Sequence, residues 1–594
     1  MFTTRPELAG TFGMVASTHW LASSAGMAIL ERGGNAFDAA AAAAFTLHVC
    51  EPHMNGPGGE VPVIFVAASD PTPQVLCGQG VTPGLASPAR FRELGLDLVP
   101  GTGLLAATVP GAVGAWLTLV RDHGTMRLRD ILDVAIGYAE HGHPVASGVV
   151  ETIAAVADLF RTYWPSSAKQ WLPTPTAGNL VRNPALAATY RRLVAEAEAA
   201  GSDRERQLDA ALCAWYEGFV AEAIDGFCRT AVMDDSGRAN SGLLTGADMA
   251  AWRPSYEPTV SLDVFGWQVH KVGSWSQGPV LLQQLAMLEA LDDMPEPASA
   301  AQIHRVVEVA KLAFADRDAN YGDGADLTRL LDPSYAAERA GLVGAEAGPA
   351  LRHGRGRLPT YALEGGTAPV GLGVGEPTLG VGTHPSATET DAEPVVSPWG
   401  TTRGDTCHID VADRWGNVVS ATPSGGWLQS SPTVDSLGFC LGTRAQMCWL
   451  QDGLSDTLAP GRRPRATLSP SFAVRDGVQL SFGTPGGDQQ DQWQLVFFLN
   501  HAVHGMNLQA AIDSPTWHTT ALVSSFYPRQ TDTQLVVEAR VGHAVEDLRK
   551  LGHDVQVADP WSLGRVSAVS RDSETGLLRA AANARGQQGY AVGR

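Results

Sequence analysis

Thr406 stands where two kinds of sequence meet. Before it, residues 351–405 are rich in Gly, Pro and Thr and poor in large apolar groups, the composition of a linker. After it, in TCHIDVADRWGNVVSATP, Ile409, Val411, Trp415 and Val418 recur among polar residues, the pattern of a strand. A chain broken before Thr406 would turn the linker into a free tail and the threonine into a new N-terminus. One residue then carries two tools. Its hydroxyl is the nucleophile, and its own α-amino group, with a pKa of about 7.7–8.0, is the base that activates it. The same hydroxyl could make the cut by attacking the Asp405 carbonyl, an N-to-O acyl shift whose ester is then hydrolysed. Neither a catalytic histidine nor a metal is needed for this chemistry.

The elements that must position such a residue are legible around it. Residues 17–50 read as two helices: Leu21, Met27 and Leu30 give the first an apolar face, Gly33-Gly34 stops it, and Asn35 caps the second. That second helix is apolar nearly all round and is expected to be buried. EPHMNGPGGEVPVIFV packs glycines into a turn that enters a strand, so backbone must pass close to another group there. Residues 127–339 read as mostly helical scaffold. Past the linker, strand-like NVVSATP, FAVRD and VQLSFGTPGG are followed by a helix-like LVFFLNHAVHGMNLQAAID and a closing strand-helix-strand around VVEARVGHAVEDLRKLGHDVQVAD.

Composition narrows the function classes. The 594 residues carry 62 acidic against 42 basic side chains, a formal charge of -20, with no run of Lys and Arg. Nucleic acid is therefore not an expected partner, since phosphate recognition needs a basic face. The seven cysteines show neither CxxC nor regular spacing, which argues against zinc and against a disulfide framework and suits a reducing compartment. No run of apolar residues is long enough to span a membrane, and the N-terminus lacks an apolar leader core. A cytoplasmic protein without cofactor or metal is expected. GxSxG, HExxH and Walker motifs are absent, and GLGVGEP lacks the strand and helix that a dinucleotide loop needs.

The order of motifs GMVASTHWLASSAGMAILERGGNAFDAA, EPHMNGPGGE, TVPGAVGAW, KLAFADRDANYGD, DTCHIDVADRWGNVVSATP, RPRATLSPS and GTPGGD resembles the γ-glutamyltransferase family over most of the chain. The resemblance implies an N-terminal-nucleophile hydrolase made as one proenzyme. Its fold would be a four-layer αββα sandwich, an α/β (α+β) architecture. It also implies a cut between Asp405 and Thr406, giving segments 1–405 and 406–594 that fold as one unit. The partner is then the chain's other half, a heterodimer of cleavage products, with a dimer of these as a further option. Thr406-Cys407-His408 stands for the family's Thr-Thr-His, with Thr406 as nucleophile. Gly486 and Gly487 match the pair whose N–H groups form the oxyanion hole, and Ser424 matches a threonine that assists processing and contacts the nucleophile.

The glutamyl-binding positions depart from the family. Gln79 replaces the arginine that clamps the substrate carboxylate, and Gly426 replaces an asparagine. Arg444 and Met447 replace the amide and carboxylate that hold the amino group, and Ala466-Thr467 replaces a Ser-Ser pair. With Asp488 and Gln489 these form the expected substrate-binding set, supplemented by Arg463, Arg465 and Gln490, with Trp427, Trp449 and Trp493 as candidate walls. Losing an acid and gaining an arginine suits an anionic acyl group without an α-amino group, such as an oxalyl- or glutaryl-like amide. The alternatives are C–C hydrolysis beside an oxalyl group in natural-product biosynthesis, γ-glutamyl hydrolysis or transfer on glutathione, and an unprocessed binding protein.

Overall fold

The computed structural model describes residues 2–360, 406–585 and 588–594. Asp405 and residues 361–404 of the expected linker lie outside the described residues.

The strands before Thr406 that build the main sheets are β1 (Leu8–Gly10), β2 (Gly13–Ser17), β3 (Val61–Ala67), β4 (Asp70–Gly78), β5 (Ser255–Pro258), β6 (Val260–Val264) and β7 (Trp267–Lys271). Those after it are β8 (Ile409–Asp413), β9 (Val418–Ala421), β10 (Ser471–Arg475), β11 (Val478–Gly483), β12 (Ser567–Asp572), β13 (Leu578–Ala582) and β14 (Tyr590–Gly593). They form two seven-stranded sheets, ordered β14-β2-β8-β9-β3-β4-β5 and β1-β13-β12-β11-β10-β7-β6. Every neighbouring pair in both is antiparallel. Residues from either side of position 406 are thus interleaved in both sheets.

Side-chain alternation along the strands makes the layers. Met14, Ala16, Ile64, Val66, Ala412 and Val418 face inward against Phe472, Val569, Leu578 and Ala580 of the other sheet. Their neighbours Val15, Val63, Phe65, Ile409 and Val411 face outward against helices α1 (Trp20–Glu31) and α2 (Ala36–Cys50). Asn35 closes a capping box with Asp38 at the start of α2, and all fifteen residues of that helix are buried. Its alanines leave room for the helix to lie close to the sheet. The second sheet is covered by α3 (Pro279–Ala290), α4 (Ala300–Asn320) and α5 (Gln490–Phe498). The fold is therefore the four-layer αββα sandwich of N-terminal-nucleophile hydrolases.

Two details differ from the sequence reading. The helical stretch 127–339 contains β5, β6 and β7. In β6, Val-Ser-Leu-Asp-Val does alternate, but the strand is short and sits at a sheet edge, so helical neighbours dominate the pattern. The strand-helix-strand unit is present, with Leu535–Glu538 and Val555–Ala558 paired in parallel, yet it does not close the chain. Three more strands follow and return to the main sheets.

Candidate active site

Thr406 heads the central strand region of the first sheet and is fully buried, bridged by its backbone to Ser424. Its Oγ1 lies 3.2 Å from Ser424 Oγ. Alternation turns Cys407 to the helix side, where its thiol donates to Glu51 Oε2 at 3.0 Å and accepts from Asn55 Nδ2 at 3.2 Å. His408 turns back between the sheets and bonds Thr422 Oγ1 and Asp410 Oδ1, each at 3.0 Å. These contacts give His408 a structural partner set.

Ser424 is fixed by its own backbone and by one guanidinium. It exchanges both main-chain hydrogen bonds with Glu60, at 2.9 and 3.0 Å. Arg444 Nη2 donates to Ser424 Oγ at 3.0 Å, and Arg444 Nε donates to Glu60 Oε1 at 2.7 Å. Both members of this ion pair are 1% exposed. Burial pushes the Glu60 carboxyl up, with Arg444 opposing the shift. Gly425 and Gly426 follow with φ of +75° and +66°. A Cβ on Gly425 would fall 2.6 Å from the Glu60 carboxylate, so the turn excludes any side chain there.

The glycine pair belongs to the other sheet. β11 ends at Gly483, where an added Cβ would meet the His408 ring at 2.3 Å. The Thr-Pro-Gly-Gly loop therefore starts beside the strand that Thr406 heads. Gly486 and Gly487 have φ of +123° and +52°, a turn that L side chains resist. A Cβ on Gly486 would lie 2.2 Å from the Trp493 ring. Donors on such a bare turn can approach a tetrahedral oxyanion closely. Asp488, the next residue, is held by Arg317 Nη1, by the Ser525 N–H at 2.9 Å and by the Ser525 hydroxyl at 2.5 Å. Burial opposes its ionisation, but Arg317 and the Ser525 donors outweigh that and hold the carboxyl below its ordinary range. Gln489 bonds back to Gly486 through its main-chain N–H at 2.9 Å.

The remaining expected substrate groups are distributed unevenly. Gln79 is fully buried, its amide donates to the Gly80 carbonyl at 3.2 Å, and its Oε1 has no partner. Thr467 is also fully buried, with an unpartnered Oγ1. Met447 packs with Trp427 and Phe526, and the Arg444 guanidinium lies 5.2 Å over the Trp427 ring. Trp493 packs against Gly486, while Trp449 lies under the Arg529 guanidinium, 3.7 Å from its ring centre. Arg463 is ion-paired to Asp323 and Glu257. Arg444, expected in the substrate-binding set, is ion-paired to Glu60, and Asp488 is engaged by Arg317 and Ser525 within the fold.

Sequence reasoning missed Glu60, Arg317 and Ser525. The first two lie inside motifs that it quoted, GPGGE and FADRD, but as turn and scaffold; only their burial opposite a counter-charge marks them. Among the described residues His304, Glu308 and His553 form a group that could hold a metal ion. Their bonds are already made within the chain: His304 Nδ1 to His553 Nε2 at 2.8 Å, and Glu308 to Lys311 at 2.7 Å and Arg352 at 2.9 Å. Two cations on the one carboxylate oppose a further positive charge.

This fold, with a buried threonine heading a central strand and a glycine turn entering from the facing sheet, is the architecture of N-terminal-nucleophile enzymes. The chain belongs to the γ-glutamyltranspeptidase family, whose model matches residues 22–593. It is 30% identical over 607 residues to the glutathione hydrolase-like YwrD proenzyme of Bacillus subtilis, covering 98% of this chain and 99% of that one. It is 29% identical over 604 residues to the oxamate amidohydrolase proenzyme of Klebsiella pneumoniae, covering 98% of each. Among solved structures, LmbA2991HD superposes with a TM-score of 0.91 at 53% identity over both full chains. A cephalosporin acylase from Bacillus halodurans gives 0.80 at 25% identity, covering 100% of this chain and 97% of that one. Among the described residues no helix is long and apolar enough to cross a membrane.

Proposed function

We propose that the chain is a proenzyme cut before Thr406, whose mature form hydrolyses a small carboxylate-bearing amide of the oxalyl or glutaryl kind. The observation that carries this is the fully buried Thr406, 3.2 Å from a Ser424 hydroxyl that Arg444 and Glu60 hold in place. Thr406 Oγ1 attacks the acyl carbon while its proton passes to the freed α-amino group. The Gly486 and Gly487 N–H groups receive the oxyanion, an interaction worth about 2.7–4 kcal/mol per donor. The C–N bond then breaks, the leaving amine takes the proton, and an acyl ester remains on Thr406. Water, deprotonated by the same amino group, attacks that ester and releases the acid. Ser424 donates to or accepts from Oγ1 throughout.

The amide reading draws on relatives that include an oxamate amidohydrolase and acylases. Glutathione is disfavoured because Gln79, Arg444 and Met447 supply neither a cationic clamp at the first position nor an acid at the last. The test is a denaturing gel and a mass spectrum. Two chains of 405 and 189 residues, the 594-residue chain divided before position 406, are expected, with an acyl adduct on the shorter one during turnover of oxamate. An active enzyme with an unbroken backbone at this position would refute the mechanism.

A further inference from the structure

Behind the strand region that Thr406 heads, on the helix side of the first sheet, lies a cavity lined by His48 of α2, by Asn55 just past that helix and by Trp171, which ends the helix Pro165–Trp171. Gly426, two residues beyond Ser424, forms part of its wall. Of the residues that line it only Pro52 is not buried. The space open to the centre of a water-sized sphere is about 20 Å³. One water molecule needs about 10–15 Å³ of such space.

Three of the lining side chains carry a polar atom that no group among the described residues bonds: His48 Nε2, Asn55 Oδ1 and Trp171 Nε1. These residues are 2%, 0% and 7% exposed, so bulk water does not serve them. Their other polar atoms are committed. His48 Nδ1 lies 3.0 Å from the Tyr190 hydroxyl. Asn55 Nδ2 donates to the Leu47 and Glu51 carbonyls, each at 3.1 Å, and to the Cys407 thiol at 3.2 Å.

The chemistry of the three atoms selects the guest. Burial keeps the His48 imidazole neutral, with a pKa lowered to about 3. With its proton on Nδ1, Nε2 is an acceptor like Asn55 Oδ1, and the Trp171 indole is a donor. Two acceptors and one donor match the two hydrogens and a lone pair of water. The other tautomer gives two donors and one acceptor, which water also meets. A cation finds no acidic side chain in the lining, and an apolar guest leaves three buried groups unpaired.

We propose that a single water molecule is bound here by His48, Asn55 and Trp171, and that it braces Asn55 and the Cys407 thiol behind Thr406. Without it Asn55 is held only through its amide nitrogen. With it, α2, the helix Pro165–Trp171 and the residue next to Thr406 share one hydrogen-bond network. The positioning role rests on Thr406 as the processing nucleophile; the water site does not.

A high-resolution crystal structure of the full chain or its mature form should show one solvent peak about 2.7–3.2 Å from all three atoms. No peak, or a peak that misses two of them, would overturn the site. The positioning role is read from the rate of cleavage before Thr406, followed on denaturing gels. Trp171→Phe keeps the ring bulk but removes the donor, and should slow cleavage about fivefold. His48→Leu should slow it by a similar factor, and His48→Gln should restore most of the rate. Unchanged cleavage in both Trp171→Phe and His48→Leu, or a lowered melting temperature with unchanged cleavage, refutes the positioning role. If Trp171→Phe does not fold, the two His48 variants decide it. An uncut wild type defeats the reading of Thr406 and the positioning role with it, while the solvent peak still decides the site.

Discussion

Thr406 and the glycine turn sit on facing sheets, and each is backed by a buried ion pair that joins a residue before position 406 to one after it. Behind Thr406 the pair is Glu60–Arg444, and behind Gly487 it is Arg317–Asp488. The two are built differently. Glu60 carries one cation and stays above the ordinary carboxyl range because burial dominates; Asp488 carries a cation and two Ser525 donors and falls below it. A carboxylate with several donors withstands burial, whereas one with a single partner is held only while that partner stays. The Thr406 side is thus the more easily disturbed half of the candidate site, and the turn side is the firmer one.

The largest expected effect comes from removing the attacking group. Thr406→Ala should leave the chain uncut and lower turnover by on the order of 10^4-fold or more, while Thr406→Ser should keep both cleavage and activity. Processing by the alanine variant, seen on a gel, would show that the cut is made by something other than this hydroxyl.

On the turn side, Gly486→Ala forces a Cβ into the Trp493 ring and against a φ of +123°. A loss of about 10^2 to 10^3 in kcat is expected, with KM little changed, because the displaced donor acts in the transition state. Stopped assays on processed protein would read this, and a purely KM effect would remove the glycine pair from the oxyanion role.

The comparison itself is sharpened by breaking each ion pair once. Arg444→Met leaves Glu60 buried without a counter-charge and should cost about 3–5 kcal/mol by denaturant unfolding; adding Glu60→Gln should recover a large part. Asp488→Asn should be rescued far less by Arg317→Met, because Ser525 also depends on the carboxylate. Equal rescue on both sides would erase the distinction drawn between them.

The smallest effect is the pH dependence. A raised native pKa at Glu60 means that the folded state takes up its proton at a higher pH than the unfolded value of 4.5, so protonation itself does not unfold the protein. It does uncouple Arg444 from Glu60. The lowered pKa of Asp488 gives stability that is present above the unfolded value of 3.8 and is lost only as pH falls through the native one. Acidification should therefore cost activity first and fold later. Glu60→Gln should remove the upper of these two steps, as followed by activity and circular dichroism on one titration.

Much of the candidate site is marked in the chain because it depends on local pattern. Thr406 is marked by the change from linker to strand, α2 by its cap and its apolar circumference, and Gly486-Gly487 by a turn that bulky residues cannot make. The strands β5–β7 were hidden by helical surroundings, and the pairing of Arg444 with Glu60 was not legible because the two lie 384 residues apart. Nothing in a linear pattern says whether an arginine is already neutralised.

The sequence by itself determined the family and marked Thr406 and the Gly486-Gly487 turn as the candidate site, since these rest on residue types and short spacings. Only the tertiary structure decided which charges are consumed inside the protein and which keep a hydrogen-bonding direction open. Arg444, Arg463 and Arg465 look alike in the chain, but Glu60 reaches the first, Asp323 and Glu257 the second, and the third stands 3.9 Å from Asp318 with one guanidinium nitrogen buried and unpartnered. That outcome depends on how two sheets bring distant segments together, because electrostatic pairing is set by distance in space and by burial.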